Sequence, residues 1–346
     1  MTSWYCWAAA RDWNCSPAAG DAHAFHRSLP GYAPTPLVPV PALADELKVG
    51  RVLVKDESAR LGLPAFKVLG ASWACHQVLR AQPGAMLVTA TDGNHGRAVA
   101  RMAARFGVAA TVFVPAVMLA STAALIAGEG AAVIRVDGGY DEAVRAAAAF
   151  AGQPAQPGQP GRALVQDTAW AGYEQVPAWI VQGYQTLLDE VDDQLGRAPD
   201  LVAVPAGVGS LAEAVVRHYR HPDRPHPSVL VVEPDTAAGV LASLVTGQPT
   251  PVPTAATVMA GLNCGTVSSA AWPVLRSGCD AAVAVSDAGA LEAVADLGRL
   301  GVSSGPSGAA TLAGARAALA DPDRRQALGL GDDATVVLLS TEGNYR

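Results

Sequence analysis

Lysine is the scarce residue of this chain. Only three of the 346 residues are lysine, at positions 48, 55 and 67, so chemistry that needs a primary amine has few places to occur. Lys and Arg together number 24 against 31 Asp and Glu, for a formal net charge of -7. No basic stripe interrupts that acidic balance, which excludes nucleic acid as the expected partner. Charged residues make up 16% of the chain and hydrophobic residues half of it, which excludes a disordered chain. A sizeable core, in one large domain or two, follows from the length. No apolar run is long enough to cross a bilayer, so no membrane is expected as partner. Met1 to Trp7 lack the basic-then-apolar order of a secretory signal, and the expected location is the cytoplasm.

Cysteine is also sparse. Five in a chain of this length do not make a disulfide framework. Cys6, Cys15, His23 and His26 fit no standard zinc spacing, so no metal is expected there. Cys264 and Cys279 could pair, but reduced thiols are the expectation for the cytosol.

What the chain has is rhythm. Apolar runs at Val52–Val54, Met86–Thr89, Thr111–Val114, Val133–Val136, Ala163–Val165, Leu201–Val204, Val229–Glu233, Ala282–Val285 and Thr335–Leu339 read as strands. Several do not alternate, the pattern of strands buried on both faces of a parallel sheet. Helical stretches lie between them, such as Gly96–Phe106, Tyr140–Ala151, Pro177–Leu195 and Leu291–Leu300. The predicted class is α/β, with mostly parallel sheets covered by helices on both faces. The Pro/Gly-rich stretch from Gly152 to Gly161 can be neither helix nor central strand and reads as an exposed loop. A small lobe at 70–160, inserted in a large lobe of 1–69 and 161–346, is the expected organisation.

The chemistry gathers around Lys67, in Ala65-Phe66-Lys67-Val68-Leu69-Gly70. Its apolar neighbours suit a lysine that must reach its neutral form to build an imine. Lys55 ends a strand beside two acids and reads as ion-paired. Asp92-Gly93-Asn94-His95-Gly96 follows the run at 86–89 and opens a helix. There Asn94 can donate to a phenolic oxygen, and Asp92 either transfers a proton or caps the helix. His95 reads as a structural hydrogen-bonder. Pro205-Ala206-Gly207-Val208-Gly209-Ser210, between strand and helix, makes a phosphate cradle from backbone N–H groups, with a dinucleotide site as the competing reading. Asp167 lies just past a strand end, where α/β proteins place ligand contacts; an Asx-turn is its rival reading. At the end of the last strand, Ser340 or Thr341 can meet a pyridine nitrogen. An imine-forming lysine, a hydroxyl contact and a phosphate cradle together point to pyridoxal phosphate.

These motifs, in this order, resemble the fold-type II pyridoxal-phosphate enzymes, the superfamily of threonine and serine dehydratases, threonine synthase and cysteine synthase. Within it the chain is most similar to the diaminopropionate ammonia-lyases, whose form is Thr91-Asp92 before Gly93-Asn94-His95-Gly96. The resemblance runs from Phe25 to Gly343. It implies that Lys67, next to Phe66, is the Schiff-base lysine and that Asn94 binds the cofactor's ring hydroxyl. It further implies that Gly207, Val208, Gly209 and Ser210 cradle phosphate, and that Ser340 or Thr341 meets the ring nitrogen. Asp92 and Asp167 would then serve substrates of opposite α-carbon configuration. The implied reaction is elimination from 2,3-diaminopropionate, through aminoacrylate, to pyruvate and ammonia, in a homodimer. A dehydratase of a β-hydroxy amino acid is the alternative, and a non-catalytic small-ligand-binding protein a second. One departure is Pro306 in Ser304-Gly305-Pro306-Ser307-Gly308, where a glutamate is expected.

Overall fold

The computed structural model describes residues 3–16, 20–91, 93–155 and 158–344. Asp92 lies outside them, as do Gln156 and Pro157 of the Gly152–Gly161 loop. In chain order the strands are Trp4–Cys6 (β1), Leu37–Pro39 (β2), Arg51–Asp56 (β3), Met86–Ala90 (β4), Ala110–Pro115 (β5), Ala132–Val136 (β6), Arg162–Leu164 (β7), Leu201–Pro205 (β8), Ser228–Pro234 (β9), Ala281–Val285 (β10) and Thr335–Ser340 (β11).

Among the described residues these form two sheets. The larger has seven strands in the order β1-β10-β9-β8-β11-β3-β2, the smaller four in the order β6-β5-β4-β7. All pairings are parallel except the two outer ones of the larger sheet, β1 on β10 and β2 on β3. Every residue of β8, β9 and β11 is buried, which explains their unbroken Val/Leu/Ala sequences: each faces helices on both sides. Burying one such Val or Leu side chain contributes roughly 1.5–3 kcal/mol. The α/β class with mostly parallel sheets is therefore borne out. The two antiparallel edge strands, β1 and β2, were not expected.

The small sheet extends past the expected lobe boundary. Arg162–Leu164 pairs in register with Met86–Val88, so β7 belongs to the four-stranded sheet although the sequence places the break at 160. The described part of the Gly/Pro-rich stretch lies between the helix Tyr140–Ala151 and β7.

Two helices lie together beneath the site. Lys67–Ala81 begins at the lysine itself and packs on Gln175–Leu195. Their seam is made of glycine: a Cβ on Gly183 would stand 2.5 Å from the Leu69 carbonyl oxygen, and one on Gly70 would stand 2.6 Å from the Tyr184 ring. Close by, a buried charge network joins Lys55, Glu57, Arg60 and Glu190, all on fully or almost fully buried side chains. Lys55 is ion-paired as expected, but its partner is Glu190 on the long helix, at 2.7 Å.

His26, considered for zinc, gives its ring nitrogens to Thr186 at 2.7 Å and to Leu69 and Ser72 at 3.0 and 2.9 Å. Cys279 is a free, buried thiol, so the Cys264–Cys279 pairing is not made.

Candidate active site

A cavity of about 510 Å³ opens at the C-terminal ends of strands from both sheets. Thr91 after β4, Ala206 and Gly207 after β8, and Thr341 after β11 all line it, as strand ends do in open α/β folds. A smaller cleft of about 180 Å³ is lined by His23, Asp189 and Arg224, with the Asp189 carboxylate 3.7 Å from the His23 ring and 3.5 Å from the Arg224 guanidinium.

Lys67 projects into the larger cavity from the first position of its helix, and its Nζ donates to Asp167 Oδ2 at 2.7 Å. Burial alone would favour the neutral amine. The carboxylate beside it overrides that and holds the ammonium above its usual range. Burial likewise opposes the charge on Asp167, but Lys67 and His95 hold that carboxyl below the ordinary carboxylate range. The resting pair is ionic. Tyr184, whose ring tilts against Phe66 with centroids 4.8 Å apart, has its phenol pushed up to about 12 by burial.

The loop after β4 folds around Thr91. Its hydroxyl accepts from the N–H groups of Gly93 and Gly96 at 2.9 and 3.0 Å and so starts the helix Asn94–Phe106. Asn94 donates from Nδ2 to Glu342 Oε2 at 3.0 Å. His95 meets the Val165 carbonyl at 2.8 Å through Nε2, the structural bond anticipated for it. Its Nδ1, however, is buried and has no hydrogen-bond partner among the described residues.

On the opposite wall, Gly209 adopts φ 96, a conformation that glycine takes without strain, and Ser210 opens the helix Ser210–Tyr219. The first-turn N–H groups of that helix have no intrahelical acceptor, and the dipole adds positive potential. Ser210 Oγ donates to the Asp167 carbonyl at 3.0 Å, tying this loop to the aspartate. Ser340 and Thr341 part company. The Ser340 hydroxyl is buried and donates to Ser304 Oγ at 2.7 Å, whereas Thr341 lines the cavity. Pro306 also lines it, at the first turn of the helix Pro306–Leu319, where a missing N–H costs nothing.

The structure thus brings Phe66, Lys67, Asn94, Asp167, Gly207, Val208, Gly209, Ser210 and Thr341 to one cavity and sets Ser340 behind its wall. Asp92 lies outside the described residues. Sequence reasoning missed Glu342, Tyr140 and Ser307. Glu342 accepts from Ser307 N at 3.2 Å as well as from Asn94, and burial raises its pKa against those bonds. Tyr140 donates to Asp167 Oδ1 at 3.4 Å and is held at 2.7 Å by Gln166. No local signal marks Tyr140, which opens the helix Tyr140–Ala151 beside the four-stranded sheet. Glu342, next to Thr341, was within reach of a reading that looked for acids as well as hydroxyls.

The wall fits pyridoxal phosphate. It offers one lysine, a helix N-terminus for an anion, and a buried Ser307 hydroxyl without a protein partner.

The sequence matches the family described as pyridoxal-phosphate dependent enzyme over residues 28–342. It is 36% identical to the diaminopropionate ammonia-lyase of Escherichia coli strain K12, over 93% of this chain and 87% of that protein. To the same enzyme of Salmonella typhimurium it is 35% identical, over 93% and 88%. The crystal structure of the Escherichia coli enzyme with an aminoacrylate-PLP azomethine reaction intermediate superposes with a TM-score of 0.83 over 93% of this chain and 88% of that one, at 36% identity.

Proposed function

The chain belongs to the pyridoxal-phosphate-dependent enzyme family, and from that premise we propose that it is a carbon–nitrogen lyase converting 2,3-diaminopropionate and water to pyruvate and two molecules of ammonia. The observation that carries the reading is the Lys67–Asp167 ion pair on the cavity wall, in a chain 36% identical to diaminopropionate ammonia-lyase along nearly its whole length. Pyridoxal phosphate, when bound, supplies an electron sink for the carbon that loses its proton.

The chain's own residues do the rest. Lys67 is the amine that would hold the cofactor and the base that carries the α-proton on Nζ. Asp167, 2.7 Å away, keeps that nitrogen aimed into the cavity and charged at rest. Gly207, Val208, Gly209 and Ser210 would hold the phosphate at the helix start, and Asn94 the ring hydroxyl. Of the two hydroxyls at the end of β11, we assign Thr341 to the ring nitrogen; its lining of the cavity supports this, whereas Ser340 donates to Ser304. A neutral hydroxyl there leaves the nitrogen largely unprotonated, and Asp92 remains the second proposed proton carrier. Among the described residues no helix is long and apolar enough to cross a membrane. We read the protein as a cytoplasmic homodimer, in keeping with its free thiols.

A dehydratase acting on a β-hydroxy amino acid is the second reading. The Escherichia coli ammonia-lyase has a crystal structure with D-serine, at 34% identity to this chain. Pyruvate release from purified, cofactor-loaded protein decides between the two. Faster turnover of diaminopropionate than of either serine isomer is expected, and serine turnover without diaminopropionate turnover rejects the proposal.

A further inference from the structure

Glu342 follows β11, and its backbone is fastened on two sides. It pairs with Ala65, flanked by bonds from Phe66 N to the Thr341 carbonyl at 3.1 Å and from Gly343 N to the Pro64 carbonyl at 3.0 Å. That strip stops one residue short of Lys67. On the other side, Gly305 N donates to the Glu342 carbonyl at 2.9 Å. The residue lines the cavity and is only partly exposed.

Its two carboxylate oxygens have separate duties. Oε1 accepts from Ser307 N at 3.2 Å. Pro306 has no N–H, so Ser307 carries the first backbone donor of the helix Pro306–Leu319, and a donor there has no intrahelical acceptor. Helix capping explains that oxygen only. Oε2 accepts from Asn94 Nδ2 at 3.0 Å, at the start of the helix Asn94–Phe106. Room for the carboxylate is kept by a glycine: a Cβ on Gly305 would stand 2.9 Å from Oε1. Burial favours the neutral acid, while the bonds from Ser307 and Asn94 and the charge of Lys67 favour the carboxylate.

A carboxylate only accepts, whereas an amide has a donating and an accepting end. Beside Glu342 the Asn94 amide must therefore keep its nitrogen toward Oε2. Turned over, it would set two acceptors face to face at the 3.0 Å now spanned by a hydrogen bond.

We propose that Glu342 is a positioning residue for the cofactor ring: it fixes which end of the Asn94 amide the ring hydroxyl meets, and it acts through Asn94. The inference rests on the assignment of Asn94 above and deepens it. An amide nitrogen carries two hydrogens. With one given to Glu342, it is the donating end of the amide that the phenolic oxygen meets. Because position 342 is zipped to residues 64–66, the amine of Lys67 and the amide of Asn94 take their places from one strip of backbone. A carboxylate that served only as a helix cap would have no hold on Asn94.

Cofactor binding without substrate tests this. Glu342→Gln keeps the shape, but with its oxygen on Ser307 N it presents an N–H to Asn94 and turns that amide over. Expected is a loss of pyridoxal phosphate affinity of about tenfold and a displaced visible band. In an Asn94→Ala background the same exchange should cost less than about twofold, because the residue it acts through is gone. Losses that multiply in the double variant overturn the proposal, and so does a Glu342→Gln protein with native affinity and band. Should Glu342→Gln fail to fold, the native chain decides. It has four asparagines, so in ¹⁵N-asparagine-labelled protein the side-chain signal of Asn94 is identified by its loss in Asn94→Ala. One of its two amide protons should keep the downfield position of a carboxylate-bound hydrogen throughout, while the other moves on adding pyridoxal phosphate. A signal indifferent to the cofactor overturns the proposal. Neither readout involves turnover, so a chain that turns over serine but not diaminopropionate loses the lyase reading, while the role of Glu342 is still decided on the cofactor alone.

Discussion

Lys55 and Lys67 are the same side chain in two opposite situations. Lys55 Nζ has three donors and three acceptors: the Thr35 carbonyl at 2.8 Å, Glu190 at 2.7 Å and Gln194 at 2.9 Å. Around it, Arg60 bridges Glu57 and Glu190, so positive and negative charges balance with no solvent nearby. Lys67 has one carboxylate, a side chain 22% exposed, and neighbours with unmet bonds, His95 Nδ1 and the Tyr184 hydroxyl. The saturated lysine is architecture, because every change there leaves a buried charge unpaired. The unsaturated one has capacity left for something that is not protein.

That contrast breaks most sharply on exchange of each lysine. Lys67→Ala is expected to lower pyruvate formation by about four orders of magnitude and to abolish the borohydride-trappable cofactor band, with only a small change in melting temperature. Lys55→Ala should do the reverse. It leaves Glu190 short of a partner in the interior and should cost about 3–5 kcal/mol by denaturant titration, with kcat nearly unchanged in the surviving folded fraction. If the two variants behave alike, the division between framework and site is wrong.

Acid sharpens the comparison further. Burial pushes the His26 imidazole down to about 3, so it stays neutral in the folded chain while the unfolded ring titrates near 6.5. Its contribution is whole above about 6.5 and is lost as pH falls from there toward 3. Glu190 follows. Burial would raise its pKa, but Arg60 and Lys55 hold it at about 2, so its contribution, present above about 4.3, is lost as pH drops through 2. Melting temperature should therefore begin to fall below pH 6.5 and steepen below pH 4. A flat profile from 7 to 4 refutes the assignment for His26. The smallest effect expected is that of Gly209→Ala. A side chain at φ 96 should cost about 1–2 kcal/mol and loosen cofactor retention on gel filtration, while leaving the Lys55 network intact.

Much of this was legible in the sequence, for a physical reason. Strands buried on both faces are written as uninterrupted Val, Leu and Ala, and Leu201–Pro205 or Thr335–Ser340 are found by that alone. The edge strands Trp4–Cys6 and Leu37–Pro39 are three residues long and only partly buried, too short to carry a period. The site divides the same way. Lys67, Asn94, Asp167 and the loop at 207–210 each sit at a strand end or helix start and announce themselves locally. Tyr140 reaches Asp167 only because the helix after β6 packs beside β7 in the four-stranded sheet, and Glu342 joins Asn94 across most of the chain. Ser340 and Thr341 face opposite ways, a choice set by the packing of Ser304 behind β11.

The glycine seam beneath the lysine has a consequence for how such a sequence can drift. Gly70 and Gly183 leave no room for even one methyl group between the backbones they separate. A new side chain on either would lever the first helix upward and lift position 67 with it. Random exchange can therefore wander widely over this molecule's surface, yet neither partner of that seam can be altered first.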